Sequence, residues 1–327
     1  MNLGWQAAHW LLNQAVSKAY DTPANCWFLT GPTASGKTAA GVALAKRLNA
    51  EIISLDSMAV YRGMDIGTAK PSVAEQGGVT HHLIDLIEPH EEFSVAQYVT
   101  AAEIAVREIA ARGKIPLFVG GTPLYLKALL RGLFEGPAAD WELRRELEAL
   151  ADSQGDEALH QRLAAVDPVS ARRLHARDRR RVIRALEVRL KTGQTISDLQ
   201  QQFERARPAE MCRVFALSWS REELIGRIDR RVDVMFETGL VDEVQRLLDT
   251  QGAFGRTAGQ AVGYREILEH LRGERGLLET IELVKLRTRQ FAKRQMTWFR
   301  SLSECRVVSG GTNADEIVET IASQSLS

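Results

Sequence analysis

From Cys26 onward the apolar residues arrive in two rhythms. Residues 26–30, Cys-Trp-Phe-Leu-Thr, form a short apolar run closed by a Gly-rich turn, the pattern of a buried strand. Residues 38–48 then place Val42, Leu44, Ala45 and Leu48 at helical spacing. Residues 51–56 predict a second strand and residues 82–87 a third. Residues 95–112 are Ala-rich and helical, and Gly113 stops them. Residues 115–119 predict another strand, ending at Gly120-Gly121. Strands that alternate with helices argue for a parallel sheet covered on both faces.

Near Gly136 the strand signals vanish. Residues 140–150, 156–165, 168–174 and 179–191 all read as helices, with Asp167 as N-cap of the third and Pro168 at its first position. Residues 214–217 return to the strand pattern, and helices resume at 221–238, 240–250, 263–271 and 277–300. The expected fold is α/β: a phosphate-loop (P-loop NTPase-like) parallel sheet core over residues 25–136 and 208–310, with C-terminal helices. A helical insertion occupies 137–207, and 311–327 read as a tail. Residues 1–24 scatter their apolar side chains among polar ones and read as an N-terminal extension without signal-peptide layout. There is no internal repeat.

Composition narrows the picture only slightly. A chain of 327 residues with 45% hydrophobic and 26% charged side chains suits one large or two modest domains. The 42 basic and 42 acidic side chains cancel, so net charge names no partner. Cys26, Cys212 and Cys305 have neither metal-ligand spacing nor the pattern of a disulfide framework, which predicts a reducing, cytoplasmic setting. No apolar run approaches the roughly 18 residues that span a bilayer.

Residues 31–38, Gly-Pro-Thr-Ala-Ser-Gly-Lys-Thr, match the phosphate-loop pattern in full between a predicted strand and a predicted helix. Gly31, Pro32, Thr33, Ala34, Ser35, Gly36, Lys37 and Thr38 are therefore the candidate phosphate cradle. Glycines let backbone amides turn inward as an anion nest, and the positive end of the following helix adds to it. Lys37 reaches outer phosphate oxygens, and the Thr38 hydroxyl is the candidate ligand for Mg²⁺. The usual occupant is a nucleoside triphosphate. An ATPase or GTPase would carry a later strand ending in Asp; here it ends in Gly120-Gly121-Thr122, which leaves a small-molecule kinase open, with the glycines making room for substrate. Asp56 ends the second strand, on the sheet edge where α/β ligands bind.

Residues 31–38, then 56–70 (Asp-Ser-Met-Ala-Val-Tyr-Arg-Gly-Met-Asp-Ile-Gly-Thr-Ala-Lys), then Gly120-Gly121-Thr122-x-Leu124-Tyr125 together resemble the tRNA dimethylallyltransferases. So do residues 184–188 (Arg-Ala-Leu-Glu-Val), 261–265 (Ala-Val-Gly-Tyr-Arg) and 289–300 (Arg-Gln-Phe-Ala-Lys-Arg-Gln-x-Thr-Trp-Phe-Arg). The matches run in the family's order over nearly the whole chain. The resemblance implies transfer of a dimethylallyl group from dimethylallyl diphosphate to N6 of adenosine 37, beside the tRNA anticodon. The loop would then hold a departing diphosphate, with Lys37 and Mg²⁺ stabilising its growing charge. Asp56 would be the general base, Thr33 would lie at the reacting centre and Arg231 would contact the diphosphate. Many relatives carry Gln at the position of Ala59; Ala cannot hydrogen-bond a base, which leaves that task to backbone groups of 57–60.

Two basic tracts change the reading of a neutral chain. Arg172, Arg173, Arg177, Arg179, Arg180, Arg181, Arg184 and Arg189 crowd the insertion, with Asp178 and Glu187 the nearby acids. Lys285, Arg287, Arg289, Lys293, Arg294 and Arg300 line the 277–300 segment. In the family the insertion grips the anticodon stem-loop. The resemblance assigns tRNA contact to Arg177, Asp178, Arg179, Arg180 and Arg181, to Thr122 and Arg144, and to Asp56, Ser57, Met58 and Ala59 around the target base. A loop base must be swung from its stack to reach Asp56. A monomer is the default expectation. Besides the kinase, an RNA-binding module with a vestigial phosphate loop is a rival, against which intact Lys37, Thr38 and Asp56 argue.

Overall fold

The computed structural model describes residues 25–133, 136–200, 208–311 and 313–325. β1 (Trp27–Thr30) and α1 (Lys37–Leu48) flank the loop, and β2 (Ala50–Ser54) follows within two residues. β3 is only His81–His82. The strand predicted over 82–87 stops there because Leu83 and Asp85 take φ of 60° and 54°, which breaks an extended ladder; Ile87 keeps one parallel bridge to Tyr61. α2 (Val95–Ala111) starts at a capping box, in which Ser94 and Gln97 satisfy each other's backbone amides. β4 (Ile115–Gly120) and α3 (Pro123–Arg131) complete the first half. The alternating-run reading passed over α3, although Tyr125, Leu126, Leu129 and Leu130 are buried along one side.

The described residues fall into two compact units, of which 131–133 and 136–200 belong to the smaller. It contains α4 (Trp141–Gln154), α5 (Asp156–Val166), α6 (Pro168–Arg173), α7 (Arg179–Thr192) and the single turn α8 (Ile196–Leu199). Asp167 caps α6 as its sequence suggests, accepting from the Ser170 amide at 2.9 Å. Leu147, Leu159, Leu163, Val182, Leu186 and Ile196 make this unit's own core. Buried Glu187 is its polar centre. It accepts both Arg144 nitrogens, at 2.9 and 2.8 Å, and the Asp140 amide at 2.7 Å.

The larger unit resumes with β5 (Val214–Ser218), α9 (Arg221–Glu237), α10 (Leu240–Gln251), α11 (Tyr264–Leu271), α12 (Leu277–Ser301), β6 (Cys305–Ser309) and α13 (Ala314–Ser325). Its six described strands form one parallel sheet in the order β3-β2-β4-β1-β5-β6. Parallel neighbours require crossover connections, which is why helices separate the strands. Beyond residue 310, where the sequence reading places a tail, α13 buries Ile317, Val318 and Ile321 against Ala40, Leu44 and Leu29. One charged residue, Glu51, sits inside β2 at 3% exposure. Arg112, His82 and Lys114 surround its carboxylate at 2.7, 2.7 and 3.1 Å, and these donors hold it down at about 2 despite the opposing effect of burial.

Candidate active site

The phosphate loop leaves the carboxyl end of β1, which lies between β4 and β5, and the connections from β1 to β2 and from β5 to β6 run to opposite sides of it. Such a switch point is where open parallel sheets offer a crevice. Ala34 and Gly36 take left-handed backbone, at φ of 61° and 84°, the conformation that turns successive amides toward an anion. Three of the loop's carbonyls find side-chain donors. Pro32 O accepts from Lys37 Nζ at 2.6 Å, Ala34 O from Arg227 Nε at 2.7 Å and Ser35 O from Trp219 Nε1 at 3.1 Å. The Thr33 amide donates to Gln295 Oε1 at 2.8 Å, while Gln295 Nε2 donates to Gly121 O at 2.6 Å. Buried Gln295 thus ties the loop to the end of β4.

Above the loop lies a cleft of about 420 Å³. Thr33, Lys37, Thr38, Asp56, Thr122 and Arg231 all line it, so these sequence-selected residues converge although they are scattered over two hundred positions. Ser57, Met58 and Ala59 line it as well. Asp56 is half-buried, and its Oδ1 accepts the Met58 amide at 2.9 Å, which fixes the carboxylate's direction. Thr122 Oγ1 accepts the Ser57 amide at 3.0 Å and so joins the ends of β2 and β4. Val232, Met235, Val262, Val284 and Phe291 give the same cleft an apolar side.

The charges in the cleft are set by crowding. Lys37 is pushed down to about 7, first by desolvation and then by Arg231, with Asp56 opposing. Desolvation also lowers Arg231, while Asp56 and Glu75 support its charge. An anion entering here meets two cations poorly solvated by water, which strengthens each contact it makes.

Gly120 and Gly121 serve a purpose other than the one inferred from sequence. A Cβ at Gly120 would stand 2.3 Å from the Leu55 carbonyl, and one at Gly121 2.6 Å from Gln295 Nε2. A Cβ at either position would meet protein, so these glycines permit close packing at the strand end while their backbone still lines the cleft. The segment 65–67 is held in a similarly tight way. Buried Glu243 accepts the amides of Asp65 and Ile66 at 3.0 and 2.8 Å and the Tyr264 hydroxyl at 2.5 Å.

The remaining candidates lie in the smaller unit. Arg144, selected as an RNA contact, is engaged twice with Glu187 and lies over the Trp141 ring at 5.0 Å. Arg179 is bound to Asp152 at 2.6 Å and Asp156 at 2.7 Å, acids that another pair of helices brings in. Arg181 pairs with Asp178 at 3.0 Å but is exposed, as are Arg177 and Arg180. On α12, Lys285 pairs with Asp233 and Arg289 with Asp229, so two of that tract's six cations are engaged within the fold. Arg287, Lys293, Arg294 and Arg300 remain exposed, and Arg294 lines the cleft. Sequence reasoning missed Gln295, Arg227 and Trp219 as builders of the site. Gln295 stood inside a quoted motif, but nothing local reveals that its amide reaches a loop 262 residues away.

A family model described as IPP transferase matches residues 59–302. The tRNA dimethylallyltransferase of Geobacter metallireducens is 47% identical over 291 residues, covering 89% of this chain and 94% of that protein. That of Heliobacterium modesticaldum is 49% identical over 275 residues, covering 83% and 85%. Among solved structures, the full-length tRNA isopentenylpyrophosphate transferase of Bacillus halodurans superposes with a TM-score of 0.67 at 41% identity, over 92% of this chain and 97% of that one. A eukaryotic dimethylallyltransferase acting on tRNA gives 0.73 at 30% identity, over 89% and 76%.

Proposed function

The chain belongs to the IPP transferase family and transfers a dimethylallyl group to tRNA, and on that premise we propose which of its residues carry the reaction. The acceptor is N6 of adenosine 37, and the donor is dimethylallyl diphosphate. The observation that carries the assignment is that Asp56 opens onto the same cleft as Lys37, Arg231 and the loop 31–38. As the N6 lone pair attacks the allylic carbon, the carbon–oxygen bond breaks and its electrons pass to the diphosphate. Loop amides, Lys37 and Arg231 stabilise that growing charge more than the ground state. Asp56, fixed by the Met58 amide, takes the proton the amine must lose. The apolar side of the cleft suits the hydrocarbon tail and keeps water from an allylic cation.

Magnesium fits the donors present. Thr38 is exposed in the first turn of α1 and lines the cleft together with the Asp56 carboxylate, and both offer the hard oxygens that Mg²⁺ prefers. Among the described residues no cluster of three His, Cys, Asp or Glu side chains could hold a metal, which suits an ion that arrives largely coordinated by phosphate. It would add charge neutralisation at the departing diphosphate.

The exposed Arg177, Arg180 and Arg181 are the proposed contacts to the anticodon stem-loop, with Thr122 and residues 57–59 near the target base. Arg144 and Arg179 act by holding their unit together. No helix among the described residues is long and apolar enough to cross a membrane; the proposed setting is the cytoplasm, and the proposed state a monomer. The relatives named above are all dimethylallyl or isopentenyl transferases, which gives the kinase reading no support. Incubation with labelled dimethylallyl diphosphate or labelled ATP, with and without tRNA, tests the proposal. Label moves from the diphosphate to tRNA, and Asp56→Asn loses about 10²–10⁴-fold in turnover while retaining tRNA affinity. Undiminished turnover in Asp56→Asn would remove it as the base.

A further inference from the structure

Two side chains that the proposed chemistry does not use hold the phosphate loop from behind. In an anion nest the amides face the ligand, so intervening carbonyls face away and need donors of their own. Trp219, just after β5, donates its Nε1 to Ser35 O at 3.1 Å, and Arg227 on α9 donates its Nε to Ala34 O at 2.7 Å. The Arg227 guanidinium lies 4.2 Å from the centre of the Trp219 ring, so each side chain orients the other. The fold leaves space for the indole, since a Cβ on Gly310, after β6, would stand 2.1 Å from that ring. Arg227 also packs against Gly36: its Nη2 is 3.3 Å from where a Cβ there would be. The first of these two carbonyls to follow in the chain belongs to Ala34, at φ 61°, a conformation that a residue with a Cβ adopts rarely.

We propose that Trp219 and Arg227 form a brace that positions the phosphate loop for the diphosphate, acting through the carbonyls of residues 34 and 35. They are positioning residues for the transfer reaction and touch none of its reacting atoms. Arg231, one helical turn further along α9, lines the cleft itself. One helix therefore supplies an arginine to the loop's outer carbonyls and another to the ligand's side. When the brace is removed, Ala34 is free to leave its left-handed conformation, and the amides beyond it lose their common direction. A lysine at 227 keeps the charge and one donor but loses the flat guanidinium that stacks on the indole. The brace rests on the reading of residues 31–38 as a diphosphate site.

The test titrates inorganic diphosphate with Mg²⁺ into the full chain as wild type, Trp219→Phe, Arg227→Met and Arg227→Lys, with tRNA affinity and thermal unfolding measured on each. Wild type binds diphosphate. Trp219→Phe, which keeps the aromatic ring and loses only the N–H, and Arg227→Met each bind about tenfold more weakly, the loss expected for one well-placed hydrogen bond. Arg227→Lys falls between, and affinity for tRNA alone is unchanged in all three. In turnover assays KM for dimethylallyl diphosphate rises while KM for tRNA does not. Equal diphosphate affinity in wild type, Trp219→Phe and Arg227→Met overturns the brace and leaves the diphosphate site standing. Failure of the wild type to bind diphosphate overturns the reading of the loop itself. A parallel loss of tRNA affinity marks general structural damage and overturns the positioning role.

Discussion

Lys37 stands at the balance point of the site. Desolvation and Arg231 discourage its charge, Asp56 encourages it, and the result is an ammonium that titrates near 7 rather than in the usual lysine range. Its Nζ donates to Pro32 O and Ser35 Oγ, at 2.6 and 3.4 Å. A bound diphosphate favours the charged form and raises this value, so binding takes up a proton. Affinity for diphosphate is therefore greatest below about 7 and falls as pH rises through that value. Inorganic diphosphate has its own protonation steps, which a control removes: Lys37→Arg carries a guanidinium that stays charged. The ratio of wild-type to Lys37→Arg affinity, measured from about pH 6 to about pH 9, declines with rising pH. A flat ratio would mean that Lys37 keeps its proton throughout.

At the level of elements, the strands and long helices were legible because their apolar spacing is local. The pattern located β1, β2, β4 and β5 and most helices to within a few residues, and the loop motif falls between β1 and α1 as its spacing predicts. What escaped depends on partners distant in sequence. β6 is half exposed along its length and gives little apolar signal, and α13 reads as a polar tail until Ile317, Val318 and Ile321 meet the sheet. The ends of β2 and β4 show the same limit at finer grain. Their glycines look like room for a ligand, yet Gly120 is there because the Leu55 backbone passes against it. Gly120→Ala forces a Cβ to within 2.3 Å of that carbonyl, where no flexible side chain can yield. It should cost about 1–3 kcal/mol or more in stability, read as a lower urea midpoint with unchanged m-value. Full stability in Gly120→Ala would show that the two strand ends part without penalty. Gln295→Leu severs both the Thr33 and Gly121 links and should raise KM for dimethylallyl diphosphate. Gln295→Glu, which still accepts from the Thr33 amide, should raise it less; the reverse order would assign the effect to Gly121.

On the scale of the whole molecule, a chain of zero net charge folds into two units to which the proposed reading gives different tasks. The larger one contains the anion cleft, and the smaller one carries Arg177, Arg180 and Arg181 exposed near the start of α7. Basic side chains in the first turn of a helix oppose its dipole, a cost of about 0.3–1 kcal/mol each at a surface, which suits a site kept for binding rather than stability. Arg179 and Arg144 are excluded from a clean test because each already pairs with acids of the same unit. Reversal of Arg177 and Arg181 to Glu should weaken tRNA binding and make its salt dependence shallower by about one to two units of log–log slope, with diphosphate affinity untouched. Coincident slopes would exclude this surface from RNA contact. The position of β6 and α13 has a further consequence. Gly310 seats Trp219, and α13 packs on the helix that follows the phosphate loop. A polypeptide emerging from the ribosome, which extends by about 5–20 residues each second, has made its phosphate loop long before it has made either support. If the brace acts as proposed, a nascent chain that has not yet reached residue 310 should hold a prenyl diphosphate about tenfold more weakly than the finished protein.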